Sequence, residues 1–307
     1  MINQRRDIEL VRDQLCRLVA TDVPPIGQGS TSARWLTLYD WARRHDVSVA
    51  RLAEAHLDAH AILAEAVLHP SDGLYGVWAS GPGSTLQLAD DGQSVTGEKQ
   101  FCSGVGVIDR ALVTAASLSE GPVLLEIDVS SLTPPDPWKS PGLGQTLTGP
   151  ADLGQCPVLR VVGTSAWYLE RPGFWHGAIG PAACWAGAAA GLVDVATGEA
   201  TDDPHRLAGL GDLMAMEFTL SSLLAAAGRV ADGGSGESID AECIARACRR
   251  SVERTASAVS DVFSQIMGPR AFVTSPEVAQ RHADLHLYLR QHHGPSELET
   301  LGRMSHP

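Results

Sequence analysis

The 307-residue chain is short of several things that would give it an immediate identity. No apolar run approaches the roughly 20 residues needed to span a bilayer. The start, Met1-Ile2-Asn3-Gln4-Arg5-Arg6-Asp7, has no apolar core of the kind a signal peptide carries, so a soluble, cytoplasmic protein is expected. Basic residues are scarce: 23 Lys and Arg stand against 36 Asp and Glu. The resulting charge of −13 excludes a protein built to grip a phosphate backbone, so no nucleic-acid partner is expected. The six cysteines are scattered without a CxxC pair or a zinc-like Cys/His spacing, and they read as reduced, mostly buried thiols. There is no HExxH segment, so His282 and His286, spaced i, i+4, do not make a metal site. Ser84 and Ser103 lack the GxSxG frame of a hydrolase nucleophile. Gly104-Val105-Gly106 follows a strand but leads to another strand, which excludes a Rossmann fingerprint.

What is present has an order. Residues 6–69 carry helical spacing, for example Ile8, Val11, Leu15 and Leu18. From Tyr75 the period changes. Tyr75–Ala79, Ser94–Cys102, Ala111–Ala116 and Val123–Val129 read as strands, with Asp90-Asp91-Gly92 as a turn and a further strand pair between Gly144 and Val162. With no helices between the strands, a doubly wound parallel sheet is excluded. After Gly163 the chain turns helical again, over Phe174–Ala196, Pro204–Val230, Ile239–Met267 and Pro276–His292. Four such helices on short loops predict an antiparallel bundle. The division is a helical segment 1–72, a β segment 73–165 and a helical bundle 166–307.

Gly97-Glu98-Lys99-Gln100-Phe101-Cys102-Ser103-Gly104 is the most informative stretch. A strand ending in aromatic, small and hydroxyl residues, then Gly, can wall a flat ring and hydrogen-bond its edge. Trp78 and Phe101 are the better candidates for stacking on that ring. Glu170 is read as opening the small-residue helix, where a carboxylate benefits from the helix N-terminus. Burial there would raise its pKa toward that of a general base. His292-His293 close the last helix, a position that suits an imidazolium.

This pattern resembles the acyl-CoA dehydrogenase family, which has a helical domain, a β domain and a helical bundle in the same order. Its Thr-Glu-Pro…Gly-Ser motif corresponds to Trp78-Ala79-Ser80-Gly81-Pro82-Gly83-Ser84. Its Gly-x-Lys-x-Trp-Ile-Thr motif corresponds to Gly97-Glu98-Lys99-Gln100-Phe101-Cys102-Ser103. Glu170-Arg171-Pro172-Gly173-Phe174-Trp175-His176-Gly177-Ala178-Ile179-Gly180 resembles the family's first C-terminal helix, and Arg281-His282-Ala283-Asp284-Leu285 its Arg-x-x-Arg-Asp helix.

The resemblance implies FAD as cofactor, contacted by Trp78, Ala79, Ser84, Phe101, Cys102, Ser103, Arg171 and Gly268. It implies Glu170 as catalytic base, no metal, an acyl thioester as substrate and a homodimer or homotetramer. The activity implied is α,β-dehydrogenation, with electrons passed to an acceptor the sequence does not name. A flavin monooxygenase on the same scaffold, using His292 or His293, and a non-catalytic subunit of a larger dehydrogenase are the alternatives. Three departures stand out. The first helical domain is short. The Arg-x-x-Phe-Gly segment that holds the flavin pyrophosphate is replaced by Gly198–His205. The Gly-Gly-x-Gly loop reads Met267-Gly268-Pro269-Arg270-Ala271.

Overall fold

A computed structural model describes residues 2–79, 84–117, 121–136, 139–154, 156–233 and 240–305, with side chains described from residue 7 onward. Three helices come first: α1 (Ile2–Val19), α2 (Thr31–Arg44) and α3 (Val47–Glu65). Eight strands follow: β1 (Tyr75–Trp78), β2 (Gln87–Leu88), β3 (Val95–Thr96), β4 (Glu98–Cys102), β5 (Arg110–Ser117), β6 (Gly121–Asp128), β7 (Gly149–Asp152) and β8 (Val158–Val162). The chain ends in α4 (Trp167–Glu170), α5 (Phe174–Gly177), α6 (Gly180–Gly198), α7 (Pro204–Ala231), α8 (Ala241–Thr274), α9 (Pro276–Tyr288) and α10 (Pro295–Met304).

These elements form two compact units. One comprises residues 1–22, 51–140 and 144–174, the other 23–50, 141–143 and 175–307. Division by composition and division by contact therefore cut the chain differently: α1 and most of α3 go with the strands, and α2 goes with the later helices.

In the first unit, β3, β2, β5, β6 and β8 lie in that order in one sheet, and β1 also pairs with β5. β4 and β7 make a separate antiparallel ribbon. The expected strand over Ser94–Cys102 is thus two strands that join different sheets, parted at Gly97. Ala59, Ile62 and Leu63 of α3 pack on Tyr75, Leu112, Leu124 and Val162 to form a core. Glu126 of β6 is wholly buried beside it. It survives there because Arg160 Nε donates to it at 2.5 Å and Tyr75 Oη at 2.7 Å.

In the second unit, α6 is buried along nearly its whole length. Its small residues allow helix α2 to come close: a Cβ at Gly187 would lie 2.0 Å from the Tyr39 carbonyl oxygen. The bundle predicted from four C-terminal helices therefore recruits α2, which buries Trp35, Leu38, Tyr39 and Ala42. Arg281 of α9 closes the end of α2 by donating to the carbonyls of Ala42 at 2.6 Å and His45 at 2.9 Å. Asp232, just past α7, accepts from Gly29 N, Thr31 N and Thr31 Oγ1 at the other end.

One expectation needs correction. Two helical segments, Phe174–Gly198 and Pro204–Ala231, do have the length and apolar composition of a membrane span. Runs of Ala, Gly and Leu broken by single polar residues hide this in the sequence. The first segment is mostly buried, as a core helix is, whereas only 22% of the apolar window in α7 is. The outer side of α7 exposes Leu207, Met214 and Phe218.

Candidate functional site

The β4–β7 ribbon is irregular. Lys99 pairs with Ala151 and Cys102 with Gly149, so two residues on β4, Gln100 and Phe101, have no register partner between them. Such a bulge re-aims a side chain. Strict alternation would place Lys99 and Phe101 on one face. Here Lys99 and Cys102 are both buried and the Phe101 ring is 60% exposed. Phe101 adopts φ +58°, a left-handed conformation uncommon for a bulky side chain. Phe101 is thus a large exposed aromatic held by a strained backbone.

The residues around Phe101 are tied down. Ser103 is buried, and its hydroxyl shares a 2.8 Å hydrogen bond with Thr148, which shares another with Thr146. The Trp78 indole is also buried and donates to the Ser103 carbonyl at 2.9 Å. Trp78, expected to stack on a ring, is thus held in the core against the Ser103 carbonyl. Cys102 is a core thiol, pushed up to about 12 by burial. Ala79 is half-buried, and its carbonyl accepts from Thr114 Oγ1 at 3.3 Å. Ser84 is half-buried at the start of the stretch leading to β2. Ser80-Gly81-Pro82-Gly83, the middle of the first motif, lie outside the described residues.

Glu170 does not open the small-residue helix. It is the last residue of the four-residue α4, exposed, and α6 begins only at Gly180. The dipole argument therefore fails, because a helix C-terminus disfavours an anion. Pro172 and Gly173 interrupt the helix that the sequence predicts to start there. Arg171 is buried and already partnered within its own unit. It donates to Glu65 at 2.6 Å, while the Gly173 amide donates to the other Glu65 oxygen at 2.7 Å. Its guanidinium also lies over the Tyr168 ring.

Gly268 belongs to the other unit. With φ +64° and ψ −176° it breaks α8, and Pro269 restarts the helix. Only glycine adopts that backbone readily. His292 is buried in the same unit, its Nδ1 accepting the Gly294 amide at 3.0 Å and its Nε2 lying 3.7 Å from Glu297. Burial holds its pKa below the usual histidine value. His293 is exposed. His282 and His286 lie ring to ring, hydrogen-bonded to Ser264 and Ser260. Among the described residues no group of three His, Cys, Asp or Glu could hold a metal ion.

The groups present fit a flavin in part. The exposed Phe101 ring on its bulge can back an isoalloxazine. Arg171 is spent on Glu65, and the Met267–Ala271 segment is a helix break rather than a glycine loop. The sequence reading gave no role to Lys99, Thr114, Thr146 or Thr148, all of which brace this wall. Only Lys99 had a signal, a charged residue in the middle of a strand.

No protein-family model matches the chain, and no curated protein does. Solved structures do. Butyryl-CoA dehydrogenase from Megasphaera elsdenii matches with a TM-score of 0.71 at 17% identity, over 89% of this chain and 81% of that one. TdsC from Paenibacillus sp. A11-2, in complex with FMN and indole, matches with a TM-score of 0.71 at 16% identity, over 97% of this chain and 96% of that one. A nitrososynthase from Micromonospora carbonacea var. africana matches with a TM-score of 0.69 at 17% identity, over 94% and 86%. At such identities the likeness is one of architecture, and the chain has the acyl-CoA dehydrogenase fold.

Proposed function

We propose that this chain is a flavin-dependent oxidoreductase and that FMN fills its site. The observation that carries this is Phe101: an exposed aromatic in a left-handed conformation, braced on both sides, in a chain of the acyl-CoA dehydrogenase fold. FMN is preferred to the expected FAD for two reasons. The segments expected to serve the pyrophosphate and adenine are both altered, and TdsC, which matches over 97% of this chain, is solved with FMN.

When bound, a flavin supplies the acceptor for a hydride equivalent. Phe101 would back its ring. The Ser103–Thr148–Thr146 hydroxyls would keep the end of β4 fixed, and the buried Trp78 would hold that end against β1. In dehydrogenation of an acyl thioester, Glu170 would take the α-proton onto its carboxylate. A positioned base contributes roughly 10²–10⁴-fold.

A second reading, oxygen transfer, is favoured by one observation. The match to TdsC, which is described in another of its structures as dibenzothiophene monooxygenase, covers 96% of that chain, against 81% of butyryl-CoA dehydrogenase. It needs no base at Glu170. Association into a homodimer or homotetramer is part of the proposal, supported by the exposed Leu207, Met214 and Phe218 on α7.

The test is reconstitution with FMN, then anaerobic mixing with short acyl-CoA substrates and, separately, aerobic turnover with a flavin reductase. Bleaching of the flavin by an acyl-CoA, lost in Glu170→Gln, supports dehydrogenation. Reductase-dependent oxygen uptake without bleaching supports oxygen transfer. A protein that stays colourless, and whose melting temperature ignores FMN, removes the flavin reading. FMN at a hundredfold excess over Kd should otherwise stabilise it by about 2.7 kcal/mol.

A further inference from the structure

Lys99 is the residue of the β unit with the least obvious purpose. It is 1% exposed, yet among the described residues no carboxylate pairs with it. Lysine is almost never fully buried without a counter-charge, because desolvating an ammonium is costly. Its Nζ instead donates to two neutral oxygens of β5, the Thr114 carbonyl at 3.0 Å and Thr114 Oγ1 at 2.6 Å. The nearby Cys102 thiol is neutral at physiological pH and supplies no charge.

The geometry around it has a direction. Thr114 Oγ1 passes the link on by donating to the Ala79 carbonyl at 3.3 Å, just past the end of β1. On the far side of the bulge, the Trp78 indole holds the Ser103 carbonyl. The bulge that carries Phe101 is therefore clamped at both ends, through Lys99 and Thr114 to Ala79 just past β1 and through Ser103 to Trp78 of β1. Apolar packing would cross-link two strands without the desolvation cost. A buried positive charge two residues from the ring wall has an electrostatic consequence that a methylene chain would not.

We propose that Lys99 is a positioning residue for the flavin ring: it fixes the bulge that presents Phe101, and its charge, which no carboxylate among the described residues pairs with, favours the reduced, electron-rich cofactor over the oxidised one. This rests on the flavin reading above. Burial holds the Lys99 pKa below its usual value. Electrons delivered to a bound flavin ring would supply the counter-charge. Lys99 has no access to the ligand and acts through the strand and through space.

The experiment is FMN binding and dye-equilibrated reduction of wild type, Lys99→Met, Lys99→Gln and Thr114→Val. The two Lys99 substitutions remove the charge with different side chains, so that one can stand in if the other fails to fold. Thr114→Val keeps the charge and removes the link to Ala79. Both Lys99 variants are expected to favour oxidised over reduced FMN at least tenfold more than wild type does, a fall of about 30 mV for a two-electron couple. Thr114→Val is expected to stay within threefold of wild type in that ratio while changing the fluorescence of bound FMN. Lys99 variants within threefold of wild type would overturn the proposal, and so would a Thr114→Val shift as large as theirs. Wild type that binds no FMN ends the flavin reading itself, before any variant is compared.

Discussion

The Leu143 amide donates to Asp284 Oδ1 at 2.5 Å, and this bond straps the segment Pro141–Leu143 to helix α9. Gln280 completes the strap, its Nε2 donating to both the Pro141 carbonyl and Asp284 at 2.7 Å. Asp284 is 1% exposed, and burial pushes its pKa up to about 6.

The folded state therefore holds this proton more tightly than the unfolded chain, whose value is near 3.8. The stability contributed by Asp284 is full below pH 3.8 and is lost as pH rises through about 6. The shift is worth on the order of 3 kcal/mol. Asp284→Asn should flatten this part of the stability profile, read as urea midpoints across that pH range. Asp284→Leu should cost about 1–3 kcal/mol for each donor left unpaired, at every pH.

Glu126→Ala should be among the most damaging single changes in the β unit. It leaves the buried Tyr75 hydroxyl and the partly exposed Arg160 without their shared acceptor. A buried donor left unpaired, as the Tyr75 hydroxyl would be, typically costs about 1–3 kcal/mol. Urea unfolding should show the loss, and a variant within 0.5 kcal/mol of wild type, the roughly neutral band of surface changes, would contradict it.

Gly268→Ala should destabilise the bundle by about 1–3 kcal/mol, because the added Cβ meets no neighbour and the penalty is purely conformational. A crystal structure should show the break in α8 retained or shifted by one residue.

Phe101→Ala should weaken FMN at least tenfold by fluorescence titration and leave the apoprotein melting temperature unchanged or slightly higher. The ring is largely exposed and its backbone is strained, so truncation removes a ligand contact without opening a core cavity.

Much of this was legible beforehand. The order helices, strands, helices followed from the change of period at Tyr75 and again after Gly163, and the Gly97–Gly104 segment stood out for its residue types. The Lys99-x-Phe101 segment and the run from Glu170 carry the likeness from which the fold is legible. Other features were not legible. The α10 helix and the short β2 strand were missed, one too short a pattern and the other only two residues long. The sequence places Glu170 at the start of a long helix, whereas it ends α4, because Pro172-Gly173 stops one helical turn and lets another begin later.

The sequence by itself determined the periods of its segments, its acidity, its lack of a metal or nucleophile motif and the placing of an aromatic beside a small hydroxyl residue. These are local properties, readable from neighbours along the chain. Tertiary structure alone decided that α2 joins the bundle, that Arg171 is spent on Glu65, and that the β4 bulge turns Phe101 out while drawing Lys99 in. Each depends on partners tens to hundreds of residues away or on strand register, and a one-residue slip in register exchanges the two faces of a strand.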